Sequence, residues 1–173
     1  NHADANHLLG VIAYQVGNFD VAEQLISQAV KTDPNQALYH LNLGNVLQDQ
    51  QRHGDAINSY EKALAINSDF PEAHNNMGNA LNSAGQAEMA ISSFQEALAL
   101  RPEYAEAHNN LGNILNDLEQ SVEAVGHLQK ALSLNPAYTE AHLNLARALF
   151  GMGKTDDALS SSRQAIALNP DFA

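Results

Sequence analysis

The 173-residue chain contains no cysteine, which excludes disulfide frameworks, thiolate zinc sites and cysteine nucleophiles. It has no apolar run near the roughly 18 residues that a membrane span needs, and no signal-peptide pattern opens it. Basic residues are scarce. Eight Lys and Arg stand against twenty Asp and Glu, for a formal net charge of −12 and a pI near 4.8. Such a polyanion repels nucleic acid and anionic lipid, so neither is expected as a partner. The length suits one domain with a sizeable core, by the usual prior of about 100–200 residues. The first residue is Asn1 rather than Met, so a fragment of a longer chain is expected. Cytoplasm is the default location, although a periplasmic segment stripped of its signal would read the same.

What the chain does have is internal repetition. Gly10, Gly44, Gly78 and Gly112 are spaced 34 apart, and Ala146 continues the series. The same interval links Ala22, Ala56, Ala90, Ala124 and Ala158, and also Ala29, Ala63, Ala97, Ala131 and Ala165. Pro34, Pro102, Pro136 and Pro170 obey it too, with Ser68 in the one gap. A fixed period of this length marks a repeat architecture. Five units follow, at about 3–36, 37–70, 71–104, 105–138 and 139–172, read as one domain over 1–173.

Each unit reads as two helices. The first carries a stripe such as Ala107, His108, Leu111, Gly112 and Leu115; the second, one such as Ala124, Leu128, Ala131 and Leu132. Both keep the i, i+3, i+4, i+7 spacing of amphipathic helices. Turn residues such as Gly85-Gln86 and Gly153-Lys154 separate the two. Proline near the end of a unit stops the second helix, because it cannot continue the hydrogen-bond ladder. The small Gly and Ala columns allow close helix approach, and Tyr60, Phe94 and Leu128 are expected to fill the spaces between units.

The 34-residue period with its L-G…A…(F/Y)…A…P pattern resembles the tetratricopeptide (TPR) repeat over the whole chain. The asparagine-rich strings AHNNMGNALN and AHNNLGNILN are similar to first helices in the superhelical region of O-linked N-acetylglucosamine transferases and their bacterial relatives. The opening ADANHLLGVIAYQVGNFD resembles the first repeat of bacterial proteins of that kind. The resemblance implies an all-α solenoid, part of a right-handed superhelix, whose first helices line a concave groove. It does not supply a catalytic domain within these 173 residues, so the chain itself is expected to be non-catalytic and to need no cofactor.

Asparagine is a mediocre helix former, so its recurrence needs a reason. At about 100° per residue, Asn110, Asn113 and Asp117 fall opposite the Leu111/Leu115 stripe. Repetition then gives a row Asn42, Asn76, Asn110, Asn144 and a parallel row Asn45, Asn79, Asn113, with Asn75 and Asn109 beside them. An Asn amide offers two donors and an acceptor, matching the N–H and C=O of an extended peptide. A ladder of such groups would hold a backbone whatever its side chains. In the transferases that the chain resembles, the matching asparagines contact the backbone of an extended polypeptide. From their place near the expected groove floor, Asp49 and Asp117 would read basic or hydroxyl-bearing side chains of the guest. The bland alternative is that solvated asparagines were copied by repeat duplication. The expected partner is an extended peptide or protein segment. A second reading makes the chain the substrate-recruiting arm of a larger enzyme, above all a protein O-glycosyltransferase.

The chaperone-adapter mode, in which Lys and Arg grip a C-terminal carboxylate, does not fit. The positions that would hold those bases read Leu41, Glu72, Asn75, Glu106 and Asn110, and only Arg147 among the basic residues projects into the expected groove. At the N-terminal end Leu8, Val11, Leu38 and Leu41 replace the asparagine pattern. They form either an apolar groove patch for a guest or a second copy, or a terminal repeat adapted to an upstream segment; exposed apolar patches and atypical end units fit both. An apolar flank around Leu159, Ile166 and Leu168, with no capping helix after NPDFA, implies end-to-end self-association.

Two motifs are declined. ALFGMGKT satisfies a loose phosphate-loop pattern, but it follows a helix rather than a strand, and Gly153 shares the turn column of Gly17 and Gly85. His40, His74, His108 and His142 also recur every 34 residues. Stacked repeats hold equivalent residues about 10 Å apart, too far for ligands that each lie about 2 Å from one metal. Packing, with a ring nitrogen bonded to backbone, is expected, and no catalytic constellation is visible.

Overall fold

A computed structural model describes residues 2–169. It contains ten helices: α1 His2–Gln15, α2 Phe19–Thr32, α3 Ala37–Asp49, α4 His53–Ile66, α5 Pro71–Ser83, α6 Ala87–Leu100, α7 Ala105–Asp117, α8 Ser121–Leu134, α9 Thr139–Gly151 and α10 Thr155–Leu168. Among the described residues there is no strand. The first helices of repeats two to five begin at the residues that the 34-residue period marks as unit starts. Pro170, the last member of the proline column, lies outside the described residues. The chain divides into two compact units, Asn1–Ser93 and Phe94–Ala173.

One turn recurs between the helices of every repeat. Gly17 N–H donates to the Tyr14 carbonyl at 2.9 Å and Asn18 N–H to the Ala13 carbonyl at 2.9 Å. The same two bonds close the first helix at Gln51-Arg52, Gly85-Gln86, Glu119-Gln120 and Gly153-Lys154. This double closure places the turn residue in the left-handed region, which favours glycine. Gly17, Gly85 and Gly153 meet that demand, whereas Gln51 and Glu119 hold φ of 62° and 61° with side chains attached. A non-glycine residue there costs about 1–2 kcal/mol, partly offset by the extra freedom glycine gives the unfolded chain. Gln51→Gly and Glu119→Gly are each expected to stabilise the fold by about 0.5–1 kcal/mol, read as a rise in melting temperature of roughly 1–4 °C. A fall would show that these side chains make compensating contacts.

Packing follows small-against-large pairs. A methyl group at Gly44 would lie 2.4 Å from the Tyr60 ring, one at Gly10 2.5 Å from Ile26, and one at Gly112 2.6 Å from Leu128. Large residues of the second helix thus fill the glycine notch of their own repeat. Tyr60 and Leu128, expected between units, also pack inside their own repeat. Tyr60 also belongs to a core cluster with Ala73 and Ala80 of the next repeat, so it serves both contacts. In the fifth repeat Ala146 replaces the glycine and the facing residue shrinks to Ser162.

Within residues 1–93, the α3 backbone comes within 8 Å of both α1 and α5 (Cα to Cα), while those of α2 and α4 stay farther apart among the described residues. Within 94–173, the α7 backbone comes within 8 Å of α9, and that of α8 stays farther from α10 (Cα to Cα, among the described residues). First helices therefore crowd together and second helices splay apart, which puts the first helices on the inner side of the bend in each unit.

Candidate groove and its polar lining

Side chains staple consecutive first helices to one another. The Tyr14 hydroxyl donates to Asp49 Oδ2 at 2.7 Å, Asn42 Nδ2 and His7 Nε2 lie 2.8 Å apart, and the Tyr39 hydroxyl donates to Asp4. His7 also stacks on Tyr39, with ring centroids 4.4 Å apart. In the second unit Asn144 Nδ2 donates to Asn109 Oδ1 at 3.0 Å. Each pair is separated by 35 residues, one repeat plus one. These bonds were not legible in the sequence, where the asparagines read as free rungs.

In the first unit Asn45 Oδ1 accepts from the Tyr60 hydroxyl at 2.9 Å and from Asn76 Nδ2 at 2.8 Å. Asn42, Asn45, Asn76 and Asn79 are all half-buried. They sit with Tyr14, Gln48, Asp49 and Tyr60 around this surface, and a cavity of about 210 Å³ opens between Tyr14, Asn45, Gln48, Asp49, Tyr60, Asn76 and Asn79. Burial, then the bond to the Asp49 carboxylate, pushes the Tyr14 hydroxyl up to about 12. Burial likewise pushes Tyr60 well above its ordinary value. Both hydroxyls stay protonated donors at neutral pH.

In the second unit Asn110, Asn113 and Asn144 are half-buried and Asp117 is exposed. Arg147 Nη1 stands 3.1 Å from Asp117 Oδ1, and Arg147 Nη2 donates to Asn113 Oδ1. The one basic residue expected in the groove is thus tied down by two residues expected to meet the guest.

Three residues expected on the groove surface are buried instead. Asn75 and Asn109 are 0% and 1% exposed, and Leu41 is 6% exposed in a cluster with Leu47, Ala56 and Tyr60. These three occupy one repeat column, with Leu143 as its next member. A first helix has neighbours before and behind as well as its own second helix, so its buried arc is wider than one stripe. Burial of an amide requires its bonds to be met. Asn109 accepts from Asn144, donates to Asn110 Oδ1 at 3.5 Å and bonds the Tyr138 hydroxyl. Asn75 Nδ2 donates to Asn76 Oδ1 at 3.3 Å. The apolar patch is reduced accordingly: Leu8 and Leu38 are 60% and 49% exposed, Val11 is half-buried, and Leu41 belongs to the core.

The histidine column finds backbone partners. Nε2 of His40, His74, His108 and His142 lies 2.8, 3.1, 3.0 and 3.1 Å from the carbonyl oxygens of Pro34, Ser68, Pro102 and Pro136. His108 Nδ1 also lies 3.0 Å from His127 Nδ1, and burial lowers both pKa values. No group of three or more His, Cys, Asp or Glu side chains converges on a metal-sized space among the described residues. Leu159, Ile166 and Leu168 are exposed on α10, and no helix among the described residues is long and apolar enough to cross a membrane.

Paired helices on a 34-residue period define a helical-repeat scaffold of the protein-interaction class. Three repeat-family models match the chain: one described as TPR repeat at residues 44–85 and 78–119, and two described as tetratricopeptide repeat at 115–173 and 3–36. The chain belongs to the tetratricopeptide-repeat family. Among solved structures it is similar to a crystal structure of MamA protein, with 26% identity, a TM-score of 0.83, and coverage of 98% of this chain and 92% of that one. It is also similar to PilF of Pseudomonas aeruginosa, with 27% identity, a TM-score of 0.88, and coverage of 97% and 77%. YrrB, described as a TPR protein with an unusual peptide-binding site, shares the fold at 21% identity and a TM-score of 0.76, over 96% of this chain and 86% of that one. No curated protein matches the chain.

Proposed function

We propose that the chain is a non-catalytic interaction scaffold that binds an extended polypeptide along its asparagine-lined first helices. The observation that carries this reading is the placement of Asn42, Asn45, Asn76 and Asn79 in one unit, and of Asn110, Asn113 and Asn144 in the other, half-buried on the inner helices. Half-burial suits the task. Such an amide is held in place by its neighbours yet keeps an edge towards solvent, and an ordered donor loses less entropy on binding than a free one. Several of these amides spend one hydrogen bond on an adjacent helix, which fixes the orientation of the remainder. A guest held through its backbone N–H and C=O groups would be accepted with little regard to sequence.

The service of the same surface as the substrate-recruiting arm of a protein O-glycosyltransferase is the second reading, favoured by the asparagine pattern alone. A nucleotide-sugar transferase domain in the reading frame after Ala173 decides for it. For the groove itself, the test is the affinity of an extended peptide and of its backbone N-methylated form, measured on the chain and on Asn76→Ala/Asn110→Ala. Tight binding that N-methylation and the double substitution both weaken is expected.

A further inference from the structure

We propose that the cavity beside Asp49 is a subsite for one basic side chain, Lys or Arg, of the bound polypeptide. This rests on the groove reading above and adds a point of sequence preference to it.

Size comes first. At about 210 Å³ the hollow is smaller than the roughly 300–1,000 Å³ of small-molecule sites. It is several times the approximately 30 Å³ share of one water, which suits a single side-chain head group.

The lining then selects the charge. Asp49 Oδ2 accepts from Tyr14, and Tyr60 donates to Asn45, so both hydroxyl protons are spent; the half-buried Tyr14 keeps its oxygen as an acceptor, whereas Tyr60 is buried. Asn76 spends a donor on Asn45. Gln48 is engaged at both ends, with Oε1 3.1 Å from His53 Nδ1 and Nε2 3.4 Å from Ser83 Oγ. No Lys or Arg lines the cavity, and Arg52 is held elsewhere by Glu23 and Asp55 at 2.8 Å each. The Asn45 and Asn79 amides in the lining offer donors as well as acceptors, so the selection of charge falls to the Asp49 carboxylate, beside which no cation stands. An anion would find repulsion there, and an apolar group would leave the Asp49 charge with the Tyr14 hydroxyl but no cation.

The repeat supplies an internal comparison. Asp117 stands two repeats after Asp49, Asn113 two after Asn45, and Arg147 two after Asn79. In the second unit the guanidinium of Arg147 bonds the Asp117 carboxylate and the Asn113 amide oxygen. In the first unit the same carboxylate and amide positions are present, but Asn79 stands where the arginine would be. The chain thus displays, at one copy of the site, the cation that the other copy lacks. Asn45 Oδ1 already accepts two bonds, so Asp49 carries most of the recognition.

The probes are fluorescein-labelled 12-residue peptides of Ser, Thr and Ala with Lys, Arg, Gln or Glu at the centre. We expect the Lys and Arg peptides to bind the chain about tenfold tighter than the Gln peptide, as befits hydrogen bonds to a charged group, and the Glu peptide to bind more weakly still. Asp49→Asn should bring the ratio to about one; Asp49 is exposed, so the fold should survive the change. Asp69→Asn removes the same charge at another exposed position and should preserve the preference. Equal affinities for Lys, Arg and Gln, or a preference that outlasts Asp49→Asn, overturn the subsite. A second readout separates it from the groove: the Asp49 side-chain carboxyl ¹³C shift on titration with Nα-acetyl-lysine amide or Nα-acetyl-arginine amide. A saturable shift without peptide binding keeps the subsite and removes the groove; peptide binding without preference does the reverse. Neither response overturns both.

Discussion

Gly44→Ala is expected to destabilise the protein by about 2–3 kcal/mol, although alanine in an exposed helix normally stabilises relative to glycine by about 1 kcal/mol. The added methyl would stand 2.4–2.8 Å from three atoms of the Tyr60 ring. That ring cannot retreat, because it is fully buried and its hydroxyl is anchored on Asn45 at 2.9 Å. Overpacking of a filled core costs about 1–3 kcal/mol, and the rigid ring puts this site at the upper end. Gly126→Ala provides the contrast, since a methyl there meets nothing within 4 Å and should gain up to about 1 kcal/mol. Thermal melts of both variants check the pair: Gly44→Ala should lose roughly 4–12 °C, at about 2–4 °C per kcal/mol for a chain of this size. A stabilised Gly44→Ala would show that Tyr60 is free to shift. In the fifth repeat, where Ala146 takes the glycine column, the column of Tyr60 and Leu128 holds the small Ser162, in keeping with the same rule.

Leu41→Asp should be more damaging, at about 4–5 kcal/mol. Leu41 is buried against Leu47, Ala56 and Tyr60, so the change forfeits the transfer energy of a leucine, about 1.5–3 kcal/mol, and buries a carboxylate with no cation beside it. Losses above about 4 kcal/mol arise from this kind of unpaired charge. Leu8→Asp, on a side chain 60% exposed, should stay within about 0.5 kcal/mol. Denaturant unfolding of the two variants therefore separates the core member of the former patch from its surface member. Equal, small effects would put Leu41 back on the surface.

The fold was legible because its signals are periodic. The Gly, Ala and Pro columns marked the helix pairs and the starts of four first helices, α3, α5, α7 and α9. The turn column was read from its glycines, and Gln51 and Glu119 show that the backbone, not the residue type, holds the conformation there. The site was only half legible. A helical wheel assumes one buried face; it put Asn110 and Asn113 opposite the core stripe, and both are half-buried. It failed for Asn75, Asn109 and Leu41, because a first helix in a stacked array is packed on several sides. The wheel also carries no information on which amides bond across helices, so the Asn45–Tyr60 contact and the Arg147–Asp117 pair came from three-dimensional placement alone. A trace of the latter was present in the 34-residue columns, where Arg147 continues the Asn45, Asn79, Asn113 row.

The central claim is that the asparagines grip a polypeptide by its backbone. An extended peptide bound by the chain, with alternate backbone N–H groups replaced by N-methyl, tests it most directly. Each lost bond is worth about 0.5–1.5 kcal/mol, so three replacements should weaken binding by at least about tenfold, and Asn76→Ala/Asn110→Ala should narrow the gap between parent and methylated peptide. Equal affinity for both peptides, with the gap unmoved by the substitutions, would contradict the account.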